Sequence, residues 1–155
     1  MTTIGLISDT HDYLDPRVTE IFSGVEHILH AGDVCRPEII LALEAIAPVT
    51  VVAGNNDFHP DWRPTEVVEL AGIRALIHHI VDPTRLSETL AARIEREQPR
   101  VVLFGHSHVP YEEERNGVLF VNPGYAGRPR FRQRRSMALL RCEPGRLAVE
   151  FRWLD

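Results

Sequence analysis

A chain of 155 residues is long enough to bury a real core without disulfide or metal staples, and it reads as one domain over 1–155. Hydrophobic residues at 44% and charged residues at 25% match ordinary globular usage and exclude a disordered or fibrous chain. A net charge of −5, from 17 basic against 22 acidic residues spread along the sequence, argues against general nucleic-acid binding.

Thr3 to Ser8 is a β-branched and apolar run that halts at Ser8-Asp9-Thr10-His11-Asp12, the pattern of a buried strand delivering polar residues to a loop. Asp15-Pro16 reads as a helix start, with the helix running to about Ser23 before Gly24. A second strand, Glu26 to Ala31, runs into Gly32-Asp33, and Pro37 opens a helix to about Ala45. Pro48 to Ala53 is a third strand, ending in Gly54-Asn55-Asn56-Asp57. Three such units in a row predict a parallel sheet whose functional residues gather beyond the strands' C-terminal ends.

The second half turns toward antiparallel pairing. Glu66 to Leu70 and Ile73 to His78 flank the turn Ala71-Gly72, and Pro83 to about Glu97 is predicted as a helix. Val101 to Gly105 is a buried strand, Tyr111 to Glu114 and Val118 to Val121 bracket the hairpin signal Asn116-Gly117, and Met137 to Cys142 pairs with Leu147 to Trp153 around Pro144-Gly145. The architecture expected from this order is two packed sheets with helices outside. Trp62, Trp153, Phe22 and Phe120 are expected to pack, because their spacing forms no base-stacking platform.

No apolar run approaches the ~18 residues that span a bilayer, and Met1 to Ser8 lacks a basic leader and cleavage site, so no membrane partner and a cytoplasmic location are expected. Cys35 and Cys142 lie far apart and offer neither a disulfide framework nor a thiolate zinc site. Five arginines fall between Arg128 and Arg135 (Arg128, Arg130, Arg132, Arg134 and Arg135), a cluster that suits either an anionic group or a solvated edge. Homo-oligomerisation is left open.

The polar strand ends supply Asp9, His11, Asp33, Asn55, His78, His106 and His108. All are oxygen or imidazole donors, which suit Mn²⁺, Fe²⁺, Zn²⁺, Co²⁺ or Ni²⁺ better than an all-oxygen Mg²⁺ site. The spacing by two in Asp9/His11 and His106/His108 sets each pair on one side of an extended segment. Glycines at Gly32, Gly54 and Gly105 allow close backbone approach just before a ligand. Asp57 and His30 are candidates to brace the loops, while His27, His59 and His79 are expected to be structural or exposed.

This ordered set resembles the metal motifs of the calcineurin-like metallophosphoesterases: Asp9-Thr10-His11, Gly32-Asp33, Gly54-Asn55-Asn56-Asp57, the His78 segment and Gly105-His106-Ser107-His108. Length and the later Asn122-Pro123-Gly124 are most similar to the small YfcE-type phosphodiesterases. The resemblance implies an α/β fold, a four-layer αββα sandwich of two mixed β-sheets flanked by helices. It implies two divalent metal ions, manganese foremost, one held by Asp9, His11, Asp33 and His108 and the other by Asp33, Asn55, His78 and His106, with Asp33 bridging. Asp9, Asp33, Asn55 and His78 would then form the catalytic set, and a hydroxide between the metals would attack phosphorus in a small or activated phosphodiester.

Three segments depart from the family pattern. Asn56 stands where larger relatives carry a histidine proposed as general acid, His78-His79-Ile80 replaces the usual His-Gly-His, and Tyr125 occupies the usual serine position, where it is expected to line the pocket. A phosphomonoesterase and a non-catalytic protein-binding scaffold, as in the retromer subunit with this fold, are the alternatives.

Overall fold

The computed structural model describes residues 1–155, and its strands fall where alternating or continuous apolar runs place them. β1 (Thr2–Ile7), β2 (His27–His30) and β3 (Val49–Val51) pair in parallel, with helices α1 (Val18–Ile21) and α2 (Pro37–Glu44) as the crossovers. β4 (Thr65–Leu70) and β5 (Ile73–His78) form a hairpin, followed by α3 (Glu88–Glu97) and β6 (Val101–Leu103). β7 (Tyr111–Arg115) pairs with β8 (Val118–Asn122), and β9 (Ser136–Glu143) with β10 (Arg146–Trp153).

Two five-stranded mixed sheets result, in the orders β10-β9-β1-β2-β3 and β4-β5-β6-β8-β7. Between them lies a core that includes Ile4, Leu6, Leu29, Ala31, Val52, Ala75, Ile77, Val101 and Leu103. On the outer face of the first sheet, Ile7, Ile28, Met137 and Leu139 pack with Val18 and Phe22 around α1 and Ile39, Ile40 and Leu43 from α2. On the outer face of the second, Leu76, Val102, Phe104 and Phe120 meet Leu90 and Ile94 from α3. These are the four layers expected. No helix is long and apolar enough to cross a membrane.

Both helices that fall short of their predicted starts do so because a side chain diverts the backbone. Asp15 accepts from the Arg17 amide through Oδ1 at 2.9 Å and from the Val18 amide through its carbonyl, closing a turn before α1. Asp82 accepts from the amide and hydroxyl of Thr84, and the Ser87 hydroxyl then caps α3 by accepting from the Leu90 amide at 3.2 Å.

Candidate metal centre

The alternation of each strand decides which side chain reaches the space between the sheets. Leu29 and Ala31 face the inter-sheet core, and Asp33 continues that parity past β2; Ala75 and Ile77 do the same along β5, and His79 continues theirs. The strand-end loops are laced together by backbone bonds. Asp9 N–H donates to Gly32 O at 2.9 Å, His11 N–H to Asp33 O at 3.0 Å, and Gly105 N–H to His79 O at 2.9 Å. Bonds also join the two sheets' loops to each other, among them one from His106 N–H to Asp9 Oδ2 at 3.1 Å.

Around this junction, Asp9 Oδ1 lies 3.3 Å from His108 Nε2, 3.7 Å from His11 Nε2 and 3.8 Å from His79 Nε2. Asp33 Oδ2 lies 3.4 Å from His79 Nε2 and 3.6 Å from His11 Nε2. Asn55 Oδ1 stands 3.1 Å from His106 Nδ1, and the His106 ring meets His79 edge to face at 5.4 Å. The sequence-predicted Asp9, His11, Asp33 and His108 therefore converge, with Asn55 and His106 beside them.

His78 is the correction. Its Nδ1 lies 2.8 Å from the Thr65 hydroxyl, its partner in the β4–β5 register, on the side of the sheet that faces α3. The adjacent His79, expected to be a bystander, is the residue turned into the cluster, because successive residues leave a strand on opposite faces. Its Nδ1–H donates to Ala31 O at 2.7 Å, which leaves Nε2 facing Asp9 and Asp33.

The donors fit a cation. Asp9 Oδ1, His11 Nε2 and His79 Nε2 are buried without a hydrogen-bond partner in the protein, and such orphans are costly unless something else satisfies them. Asp9, His11 and His108 form one group whose ligand atoms lie within 4.8 Å of one another, and Asp9, Asp33 and His79 form a second. Burial alone would raise the Asp9 pKa, but His108, His11, His79 and the Ser8 hydroxyl outweigh it and hold the carboxyl far below the usual range. Asp33 is likewise opposed by burial, yet His79 and the two Asn56 donors bring it down to about 2. Burial disfavours the His79 cation, but Asp33, Asp9 and the Ala31 carbonyl more than compensate and raise its pKa.

Much of the support comes from residues that touch no donor gap. Asp57 accepts from four amides: Oδ2 from Asp33 at 2.8 Å, Val34 at 3.3 Å and Gly54 at 2.8 Å, and Oδ1 from Cys35 at 2.7 Å. Asn56 grips Asp33 twice, its amide on Oδ1 and its Nδ2 on Oδ2, both at 2.9 Å. Fully buried His30 accepts from Gly32 N–H at Nδ1 and places Nε2 3.0 Å from the Thr10 hydroxyl. Asn122 Nδ2 donates to Gly105 O at 3.1 Å and to Ser107 Oγ at 3.0 Å, shaping the His106–His108 loop. Tyr125 is wholly buried, and its ring centroid lies 4.8 Å from that of His108 and 6.2 Å from that of His11. It packs on histidines rather than lining an open pocket.

Backbone geometry marks the same place. Asp9, His11, Asp33, His106 and His108 all adopt left-handed φ, from 45° to 71°, a conformation rare in non-glycine residues and concentrated at functional sites. Glycine is required where the loops touch: a Cβ on Gly54 would lie 2.2 Å from Asp33 Oδ1, and one on Gly105 would lie 2.1 Å from Ser8 Oγ.

This fold and donor set define a metallophosphoesterase. The chain belongs to the calcineurin-like phosphoesterase superfamily, whose domain profile matches residues 2–145. It is 35% identical to a probable metallophosphoesterase of Methanothermobacter thermautotrophicus over 157 aligned positions, covering 95% of this chain and 90% of that protein. Among solved structures it resembles an archaeal phosphodiesterase, with a TM-score of 0.78 and 26% identity over 97% of this chain and 100% of the other. It shares the fold of wild-type Vps29 complexed with Zn²⁺ from Entamoeba histolytica, with a TM-score of 0.75 and 22% identity over 99% and 100% of the two chains.

Proposed function

We propose that residues 1–155 form a single-domain, metal-dependent phosphoric ester hydrolase that acts on a small or activated phosphodiester with two divalent cations, manganese foremost. The observation that carries this reading is the set of orphaned donors, Asp9 Oδ1, His11 Nε2 and His79 Nε2, turned toward one another between anionic Asp9 and Asp33. Similarity to a structure described as an archaeal phosphodiesterase favours the diester. One cation would take Asp9, His11, Asp33 and His108, and the other Asp33, Asn55, His79 and His106, with His79 replacing His78 in the expected set.

When bound, such cations acidify a water and neutralise the charge of the phosphate. The chain's own contribution is to keep the donors in place and in the right protonation state. Asn56 fixes both Asp33 oxygens, Ser8 donates to Asp9 Oδ2 at 2.7 Å, and Ala31 sets the His79 tautomer. The Cys35 thiol does not compete as a nucleophile, because burial with Asp12, Asp57 and Asp33 nearby pushes it up to about 11. Asn56 spends its side-chain donor on Asp33 and offers no acid to a leaving oxygen, so esters with good leaving groups should be favoured.

The test is metal content together with hydrolysis of bis-p-nitrophenyl phosphate and p-nitrophenyl phosphate with Mn²⁺, in the wild type and Asp33→Asn. Turnover lost in the variant and faster on the diester supports the reading. Preference for the monoester shifts it to a phosphomonoesterase, and metal uptake without turnover above the variant shifts it to a protein-binding scaffold.

A further inference from the structure

The five arginines that the sequence presents as one cluster separate into different roles. Arg135 is buried and structural, its Nη1 lying 2.8 Å from Asp15 Oδ2 and its Nε 3.4 Å from Asp155 Oδ1. Arg134 lies over the Trp153 ring at 3.7 Å, and Arg132 lies 5.2 Å from the ring of exposed Phe131. Arg128 and Arg130 differ in what carries them. Arg128 sits over Tyr13 at 5.1 Å, two residues beyond His11, and Arg130 sits over Tyr125 at 4.9 Å, the ring that packs on His108 and His11.

Both guanidinium groups are exposed, and neither makes an ion pair, although the chain has 22 carboxylate side chains for 17 basic ones. Their loop is nevertheless tied to the donor cluster. The Tyr125 hydroxyl donates to Arg128 O at 2.9 Å, Gln133 N–H donates to Arg130 O at 3.2 Å, and Gln133 Nε2 donates to His108 O at 3.3 Å. Gly127 lies so close under Tyr125 that a Cβ would come within 2.5 Å of its hydroxyl. Two unpaired cations are thus held on Tyr13 and on Tyr125, the ring that packs against His108 and His11, by a loop bonded to the His108 carbonyl.

From this we infer that Arg128 and Arg130 clamp a second anionic group of the substrate, so that the natural ester carries a further phosphate or carboxylate beyond the phosphoryl group held at the metal centre. Guanidinium forks match such groups bidentately, and cation–π support holds the forks without consuming their N–H donors. Preorganisation by the Tyr125 and Gln133 bonds lowers the ordering cost of binding. The inference rests on the phosphoesterase reading and deepens it.

The experiment is calorimetric binding to the manganese-loaded protein of butanediol, hexanediol and octanediol bisphosphates, each against the alkyl monophosphate of the same length. For at least one length the bisphosphate should bind about 10-fold tighter than its monophosphate. Arg128→Gln/Arg130→Gln should erase that gain while leaving monophosphate affinity within about twofold, and Arg132→Gln should preserve it. Equal binding of mono- and bisphosphates by the wild type overturns the clamp, as does an equal loss for both probes in the double variant or an erased gain in Arg132→Gln. A gain that survives in the double variant overturns it too. Manganese uptake with no binding of any monophosphate and no turnover of bis-p-nitrophenyl phosphate sinks the phosphoesterase reading instead, so the two failures are distinguishable.

Discussion

His78→Asn and His79→Asn, one residue apart, should differ sharply in cation uptake, the first leaving it intact and the second impairing it. His78 makes half-buried contacts away from the cluster, its Nδ1 2.8 Å from the Thr65 hydroxyl and its ring bonded to the Pro64 carbonyl, so its loss should cost about 1–2 kcal/mol of stability and leave metal affinity within about twofold. His79 presents Nε2 at 3.4 Å from Asp33 Oδ2 and 3.8 Å from Asp9 Oδ1, between the two carboxylates a cation would neutralise. Removing a partner that merely orients a ligand costs roughly 10–100-fold in metal affinity, so removing this donor should cost more than about 100-fold, or about 2.7 kcal/mol. Calorimetric titration of EDTA-stripped protein with Mn²⁺ reads the affinity, and urea melts of the same stripped proteins read the stability. Manganese binding weakened as much by His78→Asn as by His79→Asn, or held within about threefold of the wild type in His79→Asn, would refute the placement of His79 rather than His78 among the donors.

Asp57→Ala should destabilise the stripped protein by about 3–5 kcal/mol in urea melts, because it strands the amides of Asp33, Val34, Cys35 and Gly54 that one carboxylate satisfies. Burial lowers the His30 pKa from 6.5 to about 4, so on acidification the unfolded chain takes up this proton before the folded one does. Stability tied to neutral His30 is complete above pH 6.5 and drains between there and about 4, by at most about 3–4 kcal/mol. Urea melts across that range measure the slope, which His30→Gln should flatten.

Turn chemistry made the hairpins legible from the residues alone. Asn116 and Gly117 take φ of 51° and 79°, the left-handed pair that a tight two-residue turn demands, and Ala71 and Gly72 take 53° and 78°. Most of the donor set was legible as well, since β1 ran straight into Ser8-Asp9-Thr10-His11 and three other strands ended in polar residues behind Gly32, Gly54 or Gly105. The choice between His78 and His79 was not. Period-two alternation identifies a face only when one face is polar, and Ala75, Leu76 and Ile77 are all buried because β5 lies between β4 and β6 with core on one side and α3 on the other. Only the inter-sheet membership of Ala75 and Ile77 gives the parity. Regular helix begins later than Asp15-Pro16 and Pro83 suggest because Asp15 and Asp82 bind local backbone and close a turn first.

The support around the donors explains how so unfavourable an arrangement persists. Five cluster residues hold left-handed φ at roughly 1–2 kcal/mol each, and two ionised carboxylates share a space with histidine nitrogens that lack partners. Against those costs stand the four amides on Asp57, the two Asn56 donors on Asp33, the His30 link between Gly32 and Thr10, and the Asn122 bonds to the His106–His108 loop. None of these supporting side chains is among the seven residues from which the site was read. The strain therefore lies in the donors and the compensation lies in their neighbours, the distribution expected when a site is held ready for a cation instead of relaxing into self-satisfied contacts.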